Sequence, residues 1–326
     1  MKTPIVYTLI SSEKDYFLEE LWVSLYSLRQ FHPEVTVNVL VDESTKKYME
    51  RFPKLCDMIT NIVVVPVPEN YNAKQRSRVI KTTVRNVIDG AYLFIDTDTV
   101  ICKPLDDIDN LTCDMAAVPD GHLPLSECMF PPTNSVNKIF KTDVSDSKYW
   151  FNSGVMFVAD NELTRKFYKR WNENWTYSCF EKGQSQDQPA LLATDKEFGY
   201  IISELPGIYN AQVAMSLKYF ADAAIVHWWH MSFIENQDYS PFFSLQIYKD
   251  VKTAKGLTAD IKELIMHCKQ SFASPSMPVG KEHIYFLFSP AGKIFNRIYK
   301  EGGVACFLMN KCAAVLEKIH KYTKKK

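Results

Sequence analysis

The chain has 326 residues, of which 46% are hydrophobic and 23% charged, and these fractions exclude a largely disordered, collagen-like or coiled-coil protein. Its 38 Lys and Arg residues are balanced by 38 Asp and Glu residues, which excludes the basic excess typical of a nucleic-acid-binding protein. The balance is uneven along the chain, because residues 281–326 carry a net charge of +7 and the preceding residues −7. We therefore expect a folded protein with a separate basic tail.

The cysteines and the N-terminus indicate where the protein works. Eight cysteines are spread along the chain without C-x-x-C or metal-finger spacing, which favours reduced thiols in a cytosol. The apolar run Ile5–Ile10 is too short for a secretory signal, and no run approaches about 18 apolar residues. These features predict a cytoplasmic protein without a membrane span.

Strand-like and helix-like segments alternate over the first hundred residues. Short apolar runs predict strands, and apolar residues at helical spacing predict helices. In chain order we predict a strand Ile5–Ile10, a helix Tyr16–Arg29, a strand Val35–Val41, a helix Ser44–Phe52, a strand Ile62–Val67, a helix Lys74–Ile88 and a strand Tyr92–Ile95. This alternation predicts an α/β fold with a mostly parallel, helix-covered sheet that binds ligands at the carboxyl ends of its strands.

The alternation is less regular after the first hundred residues and stops near residue 235. We predict strands at Met115–Val118, Val155–Val158 and Ala224–Val226, a helix from Asn161 to about Tyr177, and a long loop from Gly121 to Tyr149. An amphipathic helix between Leu257 and Phe272 then precedes the basic tail. The predicted organisation is one domain over residues 1–235 and a helical region over residues 236–326.

Two aspartates directly follow the strand Tyr92–Ile95. Asp96 and Asp98 are two residues apart, so in an extended chain their carboxylates share one face, where a hard cation can bind. Apolar residues flank the pair, and a bound cation would remove the cost of burying uncompensated carboxylates. The alternative interpretation is a solvated turn.

The helix Lys74–Ile88 carries basic residues on one face and no acidic residue. They recur at spacings of four, three and four residues, at Lys74, Arg78, Lys81 and Arg85. Beside a bound cation, such a basic stripe suits a diphosphate, although a solvated helix face is the alternative. The sequence contains neither G-x-G-x-x-G nor a P-loop motif, which disfavours a dinucleotide-binding protein and a P-loop NTPase.

Three later clusters could contribute to a site. In Phe151-Asn-Ser-Gly154 the glycine permits close approach of a ligand and Asn152 can bond a hydroxyl, whereas the alternative is a polar turn. Asp187 and Gln188 precede a helical segment, where a helix cap is the alternative. His227 ends a strand and can be a third metal ligand or a core histidine.

Together and in this order, these motifs resemble those of GT-A glycosyltransferases, most closely glycosyltransferase family 8 and related bacterial polysaccharide-synthesis enzymes. The resemblance covers roughly residues 3–230 and rests on four segments, namely Tyr92–Thr99 with its DxD motif, Phe151–Phe157, Asp187-Gln188 and Ile225–His227. It implies a GT-A fold, a Rossmann-like nucleotide-diphospho-sugar transferase architecture, and the composition of the tail adds a helical basic C-terminal appendage. Residues 1–235 would be the catalytic domain.

The resemblance also implies ligands and roles. Mn²⁺ or Mg²⁺ would be held by Asp96, Asp98 and His227. The nucleotide sugar, usually a UDP-sugar, would be bound by Thr8, Tyr16, Arg78, Lys81, Asp96 and Thr97. The residues with catalytic roles would be Asp187, Gln188 and Asn152. Family 8 enzymes retain the anomeric configuration, whereas an inverting enzyme would need a carboxylate base, for which Asp187 or Asp120 could serve.

The sequence thus predicts a metal-dependent transferase that moves a hexosyl unit from a UDP-sugar to a hydroxyl of a glycan or lipid-linked acceptor in bacterial surface polysaccharide biosynthesis. The tail combines apolar and basic residues, so we expect possible peripheral contact with the inner face of the cell membrane. The alternatives are a sugar-1-phosphate nucleotidyltransferase and a non-catalytic nucleotide- or glycan-binding protein at a membrane. Thr8–Asp15 lacks the Gly-rich loop of a nucleotidyltransferase.

Overall fold

The computed structural model describes residues 1–128, 132–228, 241–271 and 286–323. The chain divides into two compact units, Met1–Pro275 and Ser276–Lys326, and each is described by itself. The predicted domain boundary between residues 235 and 236 lies outside the described residues, so that boundary stays a prediction.

Strands and helices alternate through most of the first unit. Its strands are β1 (Ile5–Leu9), β2 (Val37–Val41), β3 (Asn61–Val64), β4 (Tyr92–Ile95), β5 (Thr99–Ile101), β6 (Met115–Pro119), β7 (Phe151–Val158), β8 (Ile202–Glu204), β9 (Ala211–Gln212) and β10 (Ile225–His227). Its helices are α1 (Phe17–Phe31), α2 (Glu43–Met49), α3 (Pro53–Cys56), α4 (Ala73–Val87), α5 (Thr133–Phe140), α6 (Glu162–Lys182), α7 (Gln188–Glu197), α8 (Leu245–Ala254) and α9 (Ala259–Met266).

Among the described residues, seven strands form the main sheet in the order β3-β2-β1-β4-β7-β6-β8. The pairs β1–β2, β2–β3, β1–β4 and β6–β8 are parallel, whereas β7 runs antiparallel to β4 and β6. The predicted mostly parallel sheet is therefore confirmed. The strand order reverses between β1 and β4, and a ligand site is expected at the carboxyl ends of strands at such a point.

Helices cover both faces of this sheet because their apolar residues recur at helical spacing. On one face α1, α8 and α9 bury residues such as Trp22, Ile247 and Ile261. On the other face α4, α6 and α7 bury residues such as Ile80 and Trp171. The starts of α4 and α6 are fixed by capping boxes, in which the cap side chain and the third helical residue exchange hydrogen bonds.

A smaller sheet, with the order β5-β10-β9, lies next to the end of β4 in the chain. β10 pairs antiparallel with β5, which places His227 opposite Thr99. It also pairs parallel with β9, which places His227 beside Gln212. This sheet brings a residue from late in the chain to the turn that follows β4.

The structure corrects two predictions of local structure. Residues 151–154 are not a turn before a strand, because β7 begins at Phe151. Phe151 and Asn152 pair with Pro119 and Val118 of β6, and the register shifts between Val118 and Ala117. The predicted loop from Gly121 to Tyr149 contains helix α5 and short 3₁₀ turns. Helix α8 was not predicted, and the predicted helix between Leu257 and Phe272 corresponds to α9, with Phe272 itself outside the described residues.

The second unit contains α10 (Pro290–Glu301) and α11 (Gly303–Thr323), which confirms the predicted helical C-terminal region. Ser289 caps α10, and Pro290 occupies its first turn. Many large apolar side chains of this unit are exposed, namely Phe286, Leu287, Ile294, Tyr299, Val304, Phe307, Leu308, Val315 and Leu316. Across the described residues, every helix is too short or too polar to cross a bilayer.

Candidate active site

The turn after β4 and the end of β10 bring three metal-ligating side chains together. One ligand atom each from Asp96, Asp98 and His227 lies within 4.8 Å of the others. The His227 Nε2 atom is 3.2 Å from Asp98 Oδ1, close to the separation of about 3 Å expected for adjacent ligands of an octahedral ion at about 2.1 Å. The two carboxylates suit Mn²⁺ or Mg²⁺, and the imidazole nitrogen favours Mn²⁺, the transition metal of the two. The residues therefore fit the metal that the sequence predicts.

Backbone contacts hold this turn in place. The Asp96 N–H donates to the Gly154 carbonyl at 2.7 Å, and the Thr99 hydroxyl donates to the Asp96 carbonyl at 2.9 Å. A Cβ atom at Gly154 would lie 2.4 Å from His227 Cε1 and 3.0 Å from Asp96 Oδ2. Glycine is thus required because the side chains of the site itself occupy that space. The prediction that this glycine admits a ligand is therefore corrected.

Two basic residues of α4 reach the site. The Lys81 Nζ atom is 3.0 Å from both Asp96 carboxylate oxygens, and Arg78 Nε is 2.9 Å from Asp187 Oδ1. Ser153 also donates to Asp187. Burial alone would raise the pKa of Asp187, but Arg78 and Lys81 outweigh it and hold the pKa at about 2. Asp187 is therefore a buried, firmly ionised carboxylate.

The predicted basic stripe divides into two parts. Arg85 is fully buried, donates to the carbonyls of Ile88 and Gly90 and pairs with Asp160, which is not one of the clustered metal-ligating residues. Lys74 is exposed in the first turn of α4. Only the middle of the stripe, Arg78 and Lys81, lies at the candidate site, and there both residues pair with carboxylates of the chain itself.

Two amide side chains converge on Asp120. Asn152 Nδ2 donates to Asp120 Oδ1 at 2.9 Å, and Gln188 Nε2 donates to the same oxygen at 3.1 Å. Gln188 also donates to the Phe151 carbonyl. Burial raises the pKa of Asp120 despite these two amide donors. Asp120 thus joins the two predicted catalytic amides.

The sequence of residues 8–232 matches the family model described as glycosyl transferase family 8. The chain belongs to glycosyl transferase family 8. It is therefore a glycosyltransferase, as the sequence analysis predicts, and not a nucleotidyltransferase or a non-catalytic binding protein. No curated protein matches the sequence of this chain.

Solved structures of glycosyltransferases share the fold of this family 8 chain. The apo structure of the bifunctional glycosyltransferase WbbM matches with a TM-score of 0.53 and 13% identity, covering 81% of this chain and 51% of WbbM. This chain thus spans about half the length of WbbM. The galactosyltransferase LgtC, in complex with donor and acceptor sugar analogs, matches with a TM-score of 0.50 and 14% identity, covering 80% of this chain and 99% of LgtC. These likenesses confirm the GT-A fold.

The remaining predicted residues of this glycosyltransferase lie near the same strand ends. Thr8 is in β1, and continuing the β1–β4 register places it level with Asp96. Thr97 lies between the two aspartates of the turn. Tyr16 stands at the N-terminal boundary of α1 without a side-chain capping bond, and Lys252 from α8 lies 4.6 Å from the centre of its ring. The binding roles of Thr8, Tyr16 and Thr97 stay predictions.

Two residues that contact this site were not predicted as site residues. Asn210 is fully buried and faces His227, and Ser153 bonds Asp187. Asn210 belongs to a short 3₁₀ turn, where a lone asparagine carries no signal in the sequence. Ser153 stood inside a predicted motif, but its partner lies 34 residues later.

Proposed function

We propose that this glycosyltransferase moves a hexosyl unit from a UDP-sugar to a hydroxyl of a glycan or lipid-linked acceptor, with Mn²⁺ or Mg²⁺ as its cofactor. The proposal rests on one observation: Asp96, Asp98 and His227 lie together, and Lys81 pairs with Asp96. We further propose that the reaction belongs to bacterial surface polysaccharide biosynthesis, as in the enzymes that the sequence resembles.

The charges of the site support dependence on a metal. The carboxylates of Asp96, Asp98 and Asp187 outnumber the cations Arg78 and Lys81 by one. Without a metal, this surplus negative charge repels a diphosphate. A divalent cation reverses the sign of the local charge and, when bound, neutralises the departing diphosphate.

Arg78 and Lys81 then serve mainly to arrange carboxylates. Lys81 spans Asp96 and Asp187, at 3.0 Å and 3.8 Å, and so fixes the metal ligand relative to the carboxylate predicted to face the sugar. Both bases also add positive charge where the diphosphate leaves. Lys81 is 4% exposed, so it has little water to lose when the donor binds.

Asp187 suits electrostatic stabilisation better than general base catalysis. A carboxylate with a pKa of about 2 is a weak base at neutral pH, whereas its negative charge can stabilise positive charge that develops on the sugar. We propose a retaining reaction in which the acceptor attacks the face that the diphosphate leaves. Gln188 and Asn152, held on Asp120, would position the sugars.

Transfer from UDP-sugars with and without Mn²⁺, Mg²⁺ and a chelator tests the proposal. Asp98→Asn should abolish metal-dependent hydrolysis or transfer, whereas Asp222→Asn, an exposed carboxylate on the same unit, should leave it unchanged. Metal-independent turnover in both variants would contradict the proposal. The anomeric configuration of the product, read by NMR, decides between retention and inversion, and inversion would assign Asp120 as the base.

We also propose that the second unit contacts the cytoplasmic face of a membrane. Its exposed apolar side chains occur together with Lys293, Arg297, Lys300 and Lys311, a composition that suits an anionic lipid surface. Replacing Lys311, Lys318 and Lys321 with Glu should abolish sedimentation with anionic vesicles. Unchanged sedimentation would refute membrane contact and leave the transfer reaction unaffected.

A further inference from the structure

A chain of buried amides connects Asp120 to the candidate metal ligand His227. Asn152 Nδ2 donates to Asp120 Oδ1 at 2.9 Å, Asn210 Nδ2 donates to Asn152 Oδ1 at 3.0 Å, and His227 Nδ1 lies 2.9 Å from Asn210 Oδ1. Asn152, Asn210 and His227 are each at most 6% exposed. Water therefore has little access to these bonds.

The direction of every bond in this chain follows from one fixed donor, the backbone N–H of Gly154. The Gly154 backbone N–H, which can only donate, bonds Asn152 Oδ1 at 2.9 Å. The Asn152 oxygen must therefore accept, and its NH₂ group faces the carboxylate of Asp120. Asn210 must in turn present its NH₂ group to Asn152 and its oxygen to His227.

This polarity fixes the proton of His227. Because Asn210 Oδ1 is an acceptor, Nδ1 carries a proton, so the neutral form of the ring has its lone pair on Nε2. In that form Nε2 and Asp98 Oδ1 are two acceptors 3.2 Å apart, an arrangement that a cation between them relieves. Free histidine has no such constraint on its tautomer.

We infer that Asn210 is a positioning residue that holds His227 in the Nδ1–H tautomer and so prepares Nε2 to bind the metal. The inference deepens the proposed function and rests on its metal site. Asp120 ends the chain and also accepts from Gln188, so the candidate metal ligand and the predicted sugar-binding amides belong to one hydrogen-bond network. Metal affinity falls about 10- to 100-fold when such an outer partner is lost.

The tautomer can be measured without metal or donor. In ¹⁵N-histidine-labelled protein, at a pH above the ordinary histidine pKa, we expect His227 to show a protonated Nδ1, with the signal assigned by its loss in His227→Gln. In Asn210→Leu the proton should move to Nε2, where Asp98 accepts it. Asn210→Asp keeps an acceptor for Nδ1 and should retain the wild-type tautomer. Asn174→Leu removes another buried asparagine and should change nothing at His227.

Mn²⁺ titration of the same proteins completes the test. Asn210→Leu should weaken Mn²⁺ binding about 10- to 100-fold, and Asn210→Asp should restore most of it. An unchanged His227 tautomer in Asn210→Leu would overturn the inference. If Asn210→Leu does not fold, the wild type and Asn210→Asp decide, and an Nε2–H tautomer in either protein would overturn the inference. A wild-type chain that binds neither Mn²⁺ nor Mg²⁺ would refute the proposed function, whereas the tautomer still decides the role of Asn210.

Discussion

Replacing Gly154 with alanine should remove His227 from the metal site. The new Cβ would lie 2.4 Å from His227 Cε1, whereas carbon atoms in contact lie about 3.5–4.0 Å apart. The imidazole therefore has to retreat by about 1 Å, or the backbone of β7 has to move. Metal–ligand distances tolerate only about 0.2 Å, so the displaced ring cannot bind the ion together with Asp98.

We expect Gly154→Ala to weaken Mn²⁺ binding by about 10-fold or more and to lower the free energy of unfolding by about 1–3 kcal/mol through overpacking. Mn²⁺ affinity can be read from the electron paramagnetic resonance signal of the free ion, and stability from urea unfolding without metal. Gly256→Ala is the matched control, because its Cβ would lie 3.8 Å from Trp22, an ordinary contact. A folded Gly154→Ala protein with wild-type Mn²⁺ affinity would refute the reasoning.

Two further predictions concern pH. Because the folded pKa of Asp187 is held at about 2, below its unfolded value of 3.8, the stability of the wild type relative to Asp187→Asn should fall by about 2 kcal/mol as the pH drops from about 4 to about 2. A pH-independent difference in urea unfolding would contradict this. Burial raises the pKa of Asp195 to about 7, so the wild type should lose stability as the pH rises from about 4 through 7, and Asp195→Asn should be more stable by up to about 4 kcal/mol above that range. Thermal melts that show Asp195→Asn to be less stable than the wild type at every pH would contradict a raised pKa for Asp195.

Local patterns in the sequence predict those parts of the site that depend on neighbours in the chain. Asp96 and Asp98 were found because they directly follow a buried strand, and the predicted bounds of β4 agree with the structure. Lys81 and Arg78 were found because a helix repeats every 3.6 residues. Arg85 was assigned to the same stripe wrongly, since its guanidinium turns to the carbonyls at the end of its own helix.

Contacts between distant segments could not be predicted in this way. Gly154 was expected to admit a ligand, but the group that approaches it is the ring of His227, which reaches the site only through the pairing of β10 with β5. Asn210 matters only because it faces the same ring. The small sheet formed by short strands gave no clear periodic pattern, so its role in assembling the site became visible only in the folded chain.

If Asp96, Asp98 and His227 hold a metal on which the nucleoside diphosphate binds, the nucleoside diphosphate should raise the melting temperature only together with the metal. The wild type and Asp98→Ala would be melted with UDP, with Mn²⁺ and with both. Ligand at about 100 times its dissociation constant adds about 2.7 kcal/mol, enough to raise the melting temperature by several degrees. We predict a shift for UDP that requires Mn²⁺ and is lost in Asp98→Ala. A UDP shift that is independent of Mn²⁺ and equal in both proteins would contradict this role of the metal.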